Sequence, residues 1–307
     1  MNAFTYIEPA NIEEALSVLA RYGDEAKPIA GGTGLLNLMK QQLVQPGYLI
    51  GLRRLAGLNH IASLIPPSEQ GEAKWGSSDA GGLAIGSLCT LRTLETSPLI
   101  VQYAPLLAEA SRQVATIRIR SMATIGGALA HADPSEDLPP AMIALDARVR
   151  LRSCKSTREI PVAEFFTGYY ETMIEPDELV TEVAIPPQPP DSGVSYLKFL
   201  PQTRDDYATV AVAARVSLQA DQISDVRVAL GAVGSTPLRA TKLENYLRGQ
   251  VPAPAVLKHA AEMVADIVDP VSDFRGSASY KREMAVVFTR RALAQAAAMA
   301  QGGGAAG

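Results

Sequence analysis

The chain has 307 residues, with 28 Lys and Arg against 32 Asp and Glu, a formal net charge of −4 and 47% hydrophobic residues. This balance excludes a largely disordered chain, and the slight acidity excludes the basic surface that nucleic acids or anionic membranes attract. At roughly 100–200 residues per domain, the length predicts two domains. The sequence has no run of about 18 apolar residues, so we expect no membrane-spanning helix.

The cysteines and histidines exclude a metal site in this chain. Cys89 and Cys154 stand alone, and the N-terminus lacks the basic and then apolar segments of a secretory signal, which predicts a reduced, cytoplasmic protein. An iron–sulfur cluster normally takes four thiolates, and a structural zinc ion takes Cys or His ligands in close pairs. The histidines at 60, 131 and 259 form no such pattern. We expect any metal that this protein works with to be carried by another chain.

The N-terminal segment predicts strand, helix, strand, glycine turn, helix and strand in that order. Asn11 followed by Glu14 has the spacing of a helix N-cap, and Gly23 can end that helix. A short apolar strand at 28–30, a helical pattern at 35–43 and a buried strand at 48–52 follow. We expect a small parallel α/β layer.

The middle of the chain predicts a mainly antiparallel sheet with helices. Residues 64–82 are polar and rich in Gly, Pro and Ser, which indicates a surface hairpin connection, with Trp75 as a possible docking anchor for a partner. Beyond it, periodicity predicts a strand, two helices and two pairing strands, over residues 83–87, 91–98, 105–114, 147–153 and 157–162. Arg118 and Arg120 alternate with apolar residues, as along a strand.

A change of texture near residues 170–190 predicts a second domain. Four extended segments and then three helical patterns follow, over residues 178–185, 194–200, 207–219, 224–234, 239–248, 253–267 and 277–299. We place the boundary near residue 176, which gives domains 1–176 and 177–299 in an α+β protein. Residues 300–307 are rich in Gly and Ala, and we expect them to be disordered.

Two glycine turns point to the chemistry. The first glycine turn, residues 30–35 (AGGTGL), follows a strand and opens a helix, and the second, residues 124–128 (TIGGA), lies far along the chain. Paired glycines lack Cβ atoms, so backbone N–H groups can close on a phosphate, and a helix start adds unpaired donors. Neither turn has the Lys-Ser/Thr pair of a P-loop or the spacing G-x-G-x-x-G. Two tight structural turns are the alternative, and a pyrophosphate held without cleavage, as in FAD, is the functional interpretation.

Several longer segments resemble the FAD-binding (medium) subunit of the molybdenum hydroxylases, the family of carbon monoxide dehydrogenase and xanthine dehydrogenase. They are the runs KPIAGGTGLLNLMK, TIRIRSMATIGGALAHADPSEDLPPAMIALDARV, FFTGYYETMIEPDELVTEVAIP, RVALGAVGSTPLRA and DPVSDFRGSASYKREMAVVFTRRAL. The resemblance covers nearly the whole chain in order. It implies a two-subdomain FAD-binding domain, followed by a C-terminal flavoprotein domain of antiparallel strands and helices.

The resemblance also implies which residues line the FAD site. They are Ile29, Ala30, Gly31, Gly32, Thr33, Gly34 and Leu35 in the first turn, Thr124, Ile125, Gly126, Gly127 and Ala128 in the second, and Asp137, Val180 and Lys198. Asp137 matches an aspartate near the flavin end. Three departures weaken individual contacts: Ala128 replaces an asparagine, Ser121 follows Arg120 where an asparagine is common, and Gly34 replaces a polar residue.

Other interpretations apply to single residues. Asp137 can be the N-cap of the helix that begins at Leu138, and Lys198 can be an ordinary surface lysine. His131 can approach the cofactor or face solvent. Tyr169 and Tyr170 can cover a flavin, or belong to the core and an interface. We read Cys89 and Cys154 as structural thiols and assign no catalytic acid, base or nucleophile.

The resemblance implies an FAD-carrying electron-transfer subunit of a heterotrimeric molybdenum hydroxylase. Its partners would be a large subunit with a molybdopterin cofactor and a small subunit with 2Fe–2S clusters, in a dimer of heterotrimers. Electrons would pass from the clusters through FAD to an external acceptor. A stand-alone FAD-dependent oxidase or dehydrogenase and a cofactor-free scaffold are the alternatives. The sequence leaves open the substrate (carbon monoxide, a purine, an N-heterocycle or an aldehyde) and the acceptor (quinone, cytochrome, NAD or oxygen).

Overall fold

The fold was obtained as a computed structural model that describes residues 3–64, 82–189, 192–201, 203 and 205–303. Its strands form three main sheets, which correspond to an N-terminal parallel layer, a central antiparallel sheet and a C-terminal antiparallel sheet. The α+β class predicted from the sequence is confirmed. Within the described ranges, every helix is too short or too polar to cross a bilayer.

The parallel layer forms as predicted. It contains β1 (Thr5–Ile7), α1 (Ile12–Tyr22), β2 (Ala26–Ile29), α2 (Leu35–Lys40) and β3 (Tyr48–Gly51), with strand order β1-β3-β2. The Asn11 side chain accepts the Glu14 N–H at 2.9 Å, and Gly23 ends α1 with φ +50. Ala15, Leu16 and Leu19 bury one face of α1 against the sheet. This packing holds the end of β2, and therefore the first glycine turn, in place.

The central layer carries a five-stranded antiparallel sheet with helices on one side. In chain order it contains β4 (Ile61–Leu64), β5 (Gly82–Gly86), α3 (Leu91–Thr96), α4 (Pro98–Tyr103), α5 (Pro105–Arg112), α6 (Ile117–Arg120), α7 (Ile125–His131), α8 (Leu138–Ala144), β6 (Arg148–Arg152), β7 (Thr157–Pro161), α9 (Val162–Phe165), β8 (Phe166–Gly168), β9 (Glu171–Thr172) and β10 (Leu179–Ile185). The strand order is β4-β5-β10-β6-β7, and β8 and β9 form a separate small hairpin. Leu64 pairs with Gly82, so the strands flanking the predicted hairpin connection do pair. Most of that connection, with Trp75, lies outside the described residues.

Residues 178–185 were predicted to begin the C-terminal sheet, and this prediction was wrong, because β10 belongs to the central sheet. It lies between β5 and β6 in the central sheet, where it pairs antiparallel with both. Six of its seven residues are buried, because a central strand is covered on both faces and loses the alternation that would reveal its neighbours. The change from one sheet to the next therefore falls between Ile185 and Ser192. We propose the domain boundary there rather than near residue 176.

The segment around Arg118 and Arg120 is a helical turn, α6, and the prediction of a strand was wrong. The alternation Ile-Arg-Ile-Arg covers four residues, which is too short to separate the two periodicities. Arg120 lies inward, with Nε 3.0 Å from Glu95 Oε2 and Nη1 donating to the carbonyls of Val114 and Ala115. This set of bonds fixes the chain just before the second glycine turn.

The C-terminal part forms the predicted antiparallel sheet, covered by helices. Its elements are β11 (Ser192–Phe199), β12 (Val210–Gln219), β13 (Gln222–Gly231), β14 (Leu238–Arg239), α10 (Thr241–Leu247), α11 (Pro254–Glu262) and α12 (Ala278–Gly303). Helix α12 packs so closely on β11 that a Cβ at Gly193 would lie 1.9 Å from the Ala296 carbonyl oxygen. The helix also runs beyond residue 299 and ends at Gly303, and Ala300 is buried. Residues 300–303 are therefore helical and not part of a disordered tail. Residues 304–307 lie outside the described ranges.

An ion-pair network joins the C-terminal sheet to the central layer. Asp146, which follows α8, pairs with Arg227 of β13 at 2.9 Å and with Arg239 of β14 at 3.1 Å. Arg215 of β12 lies 3.3 Å from the same carboxylate and is almost fully buried. Helix α8 packs on β12 and β13 beside this network. The docking places β11, with Lys198, next to the N-terminus of α8, where Asp137 lies.

Candidate functional site

A cleft of about 790 Å³ opens where the three layers meet. Its lining includes every residue of the set predicted from the resemblance except Ile125, which is fully buried in the central core. The first turn enters from the parallel layer, the second turn and Val180 from the central layer, and Lys198 from β11. The fold thus brings together residues that are far apart in the sequence.

The first glycine turn offers unpaired backbone donors. It links β2 to α2, and Gly32 has φ +73, a conformation that favours glycine. The N–H groups of residues 32–35 donate to no acceptor in the described part of the chain, whereas the next two, those of Leu36 and Asn37, donate back to Gly32 and Gly34. These four N–H groups are therefore available to a ligand at the start of α2.

The second glycine turn has a different hydrogen-bonding pattern from the first. It forms the first turn of α7, with Thr124 as N-cap, and the Gly127 N–H donates to Thr124 Oγ1 at 3.1 Å. The Ile125 N–H donates to the Cys89 carbonyl at 3.0 Å, and the Gly126 N–H to the Ser87 carbonyl at 2.9 Å. The N–H groups of Ile125, Gly126 and Gly127 are thus already paired within the protein. Its glycines allow close packing against the cleft, and its contact with a cofactor stays a prediction.

The first glycine turn packs against the backbone that leads into the second glycine turn. A Cβ on Gly31 would lie 2.0 Å from the carbonyl oxygen of Met122, and a Cβ on Gly34 would lie 2.8 Å from the His131 ring. At Gly31 the obstacle is backbone, whereas at Gly34 it is a side chain. Glycine at position 31 is what lets the start of α2 and the start of α7 border one cleft.

A buried ion pair closes one end of the cleft. Lys198 Nζ lies 2.8 Å from Asp137 Oδ2 and 3.0 Å from the Gln113 carbonyl oxygen, and Tyr196 donates to Asp137 Oδ1 at 2.7 Å. The side chains of Lys198 and Asp137 are 1% and 6% exposed, so Lys198 is not a surface lysine. Burial raises the pKa of Asp137, and the Lys198 ammonium opposes that rise. Asp137 occupies the N-cap position of α8, but its side chain makes no capping bond because both oxygens are used here.

Carboxylates surround this end of the cleft. We call Asp133, Glu136, Asp205 and Asp206 the acidic rim; the last three line the cleft, and Asp133 adjoins Glu136. Burial and the carboxylates of Asp133 and Asp137 raise the pKa of Glu136 well above its ordinary value, with Lys198 opposing. Arg275 pairs with Asp206 at 2.8 Å. Lys198 and Arg275 are therefore each already paired with a carboxylate.

Aromatic side chains border the same end. Tyr170 donates to Asp133 at 3.0 Å and packs edge-on against the His131 ring, with the ring centroids 5.4 Å apart. Burial and Asp133 raise the pKa of Tyr170 to about 12, and burial lowers the pKa of His131, with Asp133 opposing. His131 and Tyr170 both line the cleft, whereas Tyr169 does not; both tyrosines are about half exposed.

Sequence reasoning missed several lining residues. Ser87, Glu136, Asp206 and Tyr207 all line the cleft. Glu136 directly precedes Asp137, so the acidic run was the available signal. The other three lie in a strand end and a loop, without a motif that distinguishes them.

Two family profiles together match almost the whole chain. One, described as "FAD binding domain in molybdopterin dehydrogenase", matches residues 2–188, and one described as "CO dehydrogenase flavoprotein C-terminal domain" matches residues 195–296. Among curated relatives, the carbon monoxide dehydrogenase medium chain of Hydrogenophaga pseudoflava is 33% identical over 94% of this chain and 96% of its own length. The glyceraldehyde dehydrogenase medium chain of Sulfolobus acidocaldarius is 30% identical over 96% of this chain and 98% of its own.

Solved structures agree with these matches. Carbon monoxide dehydrogenase from Hydrogenophaga pseudoflava superposes with a TM-score of 0.88 at 33% identity, covering 97% of this chain and 98% of that one. Quinoline 2-oxidoreductase from Pseudomonas putida 86 superposes with a TM-score of 0.86 at 31% identity and the same coverage. The family resemblance and the two-part fold predicted from the sequence are thus confirmed. The chain belongs to the family of FAD-binding medium subunits of the molybdenum hydroxylases.

Proposed function

We propose that this chain carries electrons through FAD between partner subunits and an external acceptor, as the medium subunit of a heterotrimeric molybdenum hydroxylase. The observation that carries the proposal is the cleft, where the first glycine turn offers N–H groups without a described acceptor and few of the described side chains are cationic. Medium-subunit relatives match the chain along nearly its full length. The large subunit would hold the molybdopterin cofactor and the small subunit the 2Fe–2S clusters, in a dimer of heterotrimers.

The residues of the cleft fit FAD. Its volume of about 790 Å³ lies within the range of roughly 300–1,000 Å³ that is usual for small-molecule sites. Among the residues that the structure describes, the lysines that line the cleft are Lys27 and Lys198, and no arginine lines it. A diphosphate there must be stabilised mainly by backbone N–H dipoles, and the first glycine turn supplies four that donate to no described acceptor.

Each part of the site has a proposed role. The N–H groups of residues 32–35 would bind the diphosphate, and Gly126, Gly127 and Ala128 would let the cofactor approach α7 closely. Lys198 keeps a third ammonium proton beyond its bonds to Asp137 and Gln113, so it can donate to a carbonyl of the flavin ring. When bound, FAD supplies a carrier that accepts electrons singly and releases two together.

The described part of the chain shows no metal centre that could pass electrons to FAD. Its two cysteines are too few for an iron–sulfur cluster, and within the described ranges no group of three or more His, Cys, Asp and Glu is placed to hold a metal. Burial raises the pKa of Cys89 to about 11, so it is an inert thiol. His60 lies 3.2 Å from Glu182, and His259 is exposed on α11. These features favour the entry of electrons from another chain.

The visible spectrum and the partner dependence of turnover test the proposal. The full chain would be purified alone, its spectrum recorded, and its oxidation of a panel of aldehydes, N-heterocycles and purines compared with that of the co-purified complex. We expect a flavin spectrum and no oxidation of the panel until the partners are present. Turnover by the chain alone would favour the stand-alone oxidase, and the absence of flavin from both the chain and the complex would favour the scaffold.

A further inference from the structure

Ser87 has a buried hydroxyl that the rest of the protein leaves unpaired. The residue is 2% exposed, and its Oγ has no hydrogen-bond partner among the described residues. Burying a hydroxyl without a partner costs free energy, so such groups are rare in folded proteins. The position of Ser87 indicates where a partner can come from, because the residue lines the cleft.

The backbone of Ser87 is tied to the second glycine turn. Its N–H donates to the Thr181 carbonyl at 3.0 Å, and its carbonyl accepts the Gly126 N–H at 2.9 Å. A Cβ on Gly126 would lie 2.6 Å from the Ser87 Cβ, so the glycine leaves room for this side chain. Ser87 is therefore held rigidly beside the start of α7.

A hydroxyl at this point supplies what the second glycine turn lacks. The N–H groups of Ile125, Gly126 and Gly127 are already paired within the protein, so they cannot serve a ligand without breaking those bonds. Other buried hydroxyls without a described partner exist, but they lie away from the cleft: those of Ser111, Thr209 and Thr289. Ser87 thus differs from them in that it lines the cleft.

We propose that Ser87 is a further FAD-binding residue, whose hydroxyl donates a hydrogen bond to the diphosphate of the cofactor. This inference rests on FAD occupying the cleft. A hydroxyl donor to a charged phosphate oxygen forms a charge-assisted hydrogen bond, which is stronger than a bond between neutral groups. The hydroxyl then has no partner within the protein because its partner, a phosphate oxygen, belongs to FAD.

Titration of the full-length apo chain with FAD, followed by flavin fluorescence, tests the inference. Ser87→Ala should raise the Kd for FAD about tenfold, whereas the apo Tm should stay the same or rise by about 2 °C, because an unpaired hydroxyl is removed. Ser87→Cys, with similar size and a weaker donor, should give an intermediate Kd. Ser111→Ala is the matched control, since it removes an equally buried unpaired hydroxyl on α5, and its Kd should stay within about twofold of wild type.

ADP as a competitor locates the contact. If the hydroxyl binds the diphosphate, Ser87→Ala should weaken competition by ADP by a factor similar to the loss for FAD. Unchanged FAD affinity in Ser87→Ala and Ser87→Cys would overturn the inference while leaving FAD binding by the cleft intact. An equal loss in Ser111→Ala, or a loss for FAD with none for ADP, would also overturn it. Failure of the wild-type chain to bind FAD would instead contradict the proposed function.

Discussion

Substituting the glycines of the cleft one at a time tests how the site is assembled. At Gly31 an added Cβ would lie 2.0 Å from the Met122 carbonyl oxygen, and all three of its nearest atoms belong to the backbone of Met122 and Ala123. An ordinary carbon–oxygen contact needs more than a further ångström, so the two glycine turns must separate. We expect Gly31→Ala to destabilise the apo chain by about 1–3 kcal/mol, the usual cost of overpacking. It should also weaken FAD binding by at least about tenfold, because the donors of residues 32–35 move away from α7.

Gly34 and Gly47 provide graded controls. At Gly34 the Cβ would lie 2.8 Å from the His131 ring, a side chain that can turn aside, so Gly34→Ala should cost less than about 1 kcal/mol. At Gly47 the nearest atom is the Glu25 carbonyl oxygen at 3.8 Å, an ordinary contact, so Gly47→Ala should be neutral or slightly stabilising.

Urea unfolding of the apo chains and fluorescence titration with FAD measure the two effects separately. The account requires the order Gly31→Ala, then Gly34→Ala, then Gly47→Ala, from the largest loss to the smallest, in both measurements. Wild-type FAD affinity in Gly31→Ala would refute the reasoning, because it would show that contact between the two turns does not shape the site. A loss in Gly47→Ala as large as that in Gly31→Ala would refute it too.

Three further predictions follow from the charges of the site. Lys198→Met should lower the free energy of unfolding, measured in urea, by about 3–5 kcal/mol, because it leaves the buried Asp137 carboxylate without its ion-pair partner. The loss should be larger at pH 7 than at pH 4, since protonation of Asp137 in acid removes that unpaired charge. An equal loss at both pH values would contradict this. Arg158 holds the pKa of Glu178 below its ordinary value of 4.5 despite burial. Glu178→Gln should therefore destabilise the chain at pH 6, by only about 1–2 kcal/mol because Arg158 is partly exposed, and the loss should shrink as the pH falls below about 4.5. A loss that grows in acid would contradict this. Photoreduced FAD should be reoxidised faster by ferricyanide, and more slowly by the hexaammineruthenium(III) cation, as salt is raised, because the acidic rim repels the anion and attracts the cation; rates independent of salt would show that the rim does not face the acceptor.

The parallel layer could be predicted because its signals are local. The N-cap at Asn11, the stop at Gly23 and the apolar pattern of α1 all act within one helix. The first glycine turn was likewise recognisable, since it stands between a strand and a helix and its conformation depends on its own residues. Such features need no knowledge of distant contacts.

The features that could not be predicted from local signals depend on contacts made across the fold. β10 lost its alternation because it lies in the middle of a sheet, and its neighbours are set by the fold as a whole. The N–H groups of the second glycine turn are taken by the carbonyls of Ser87 and Cys89, which lie in another segment of the chain. Lys198 is buried because β11 docks beside α8. Long-range packing of this kind leaves no periodic trace in one sequence.

The central claim is that this chain passes electrons through FAD from an iron–sulfur partner to an acceptor. Anaerobic stopped-flow mixing tests it most directly, with the prereduced 2Fe–2S subunit presented to the medium subunit in its FAD-loaded and FAD-free forms, each with the same acceptor. The account predicts that the flavin absorbance bleaches and that the acceptor is reduced only in the FAD-loaded complex. Equal reduction of the acceptor by the FAD-free complex, or clusters that stay reduced beside an oxidised flavin, would contradict it.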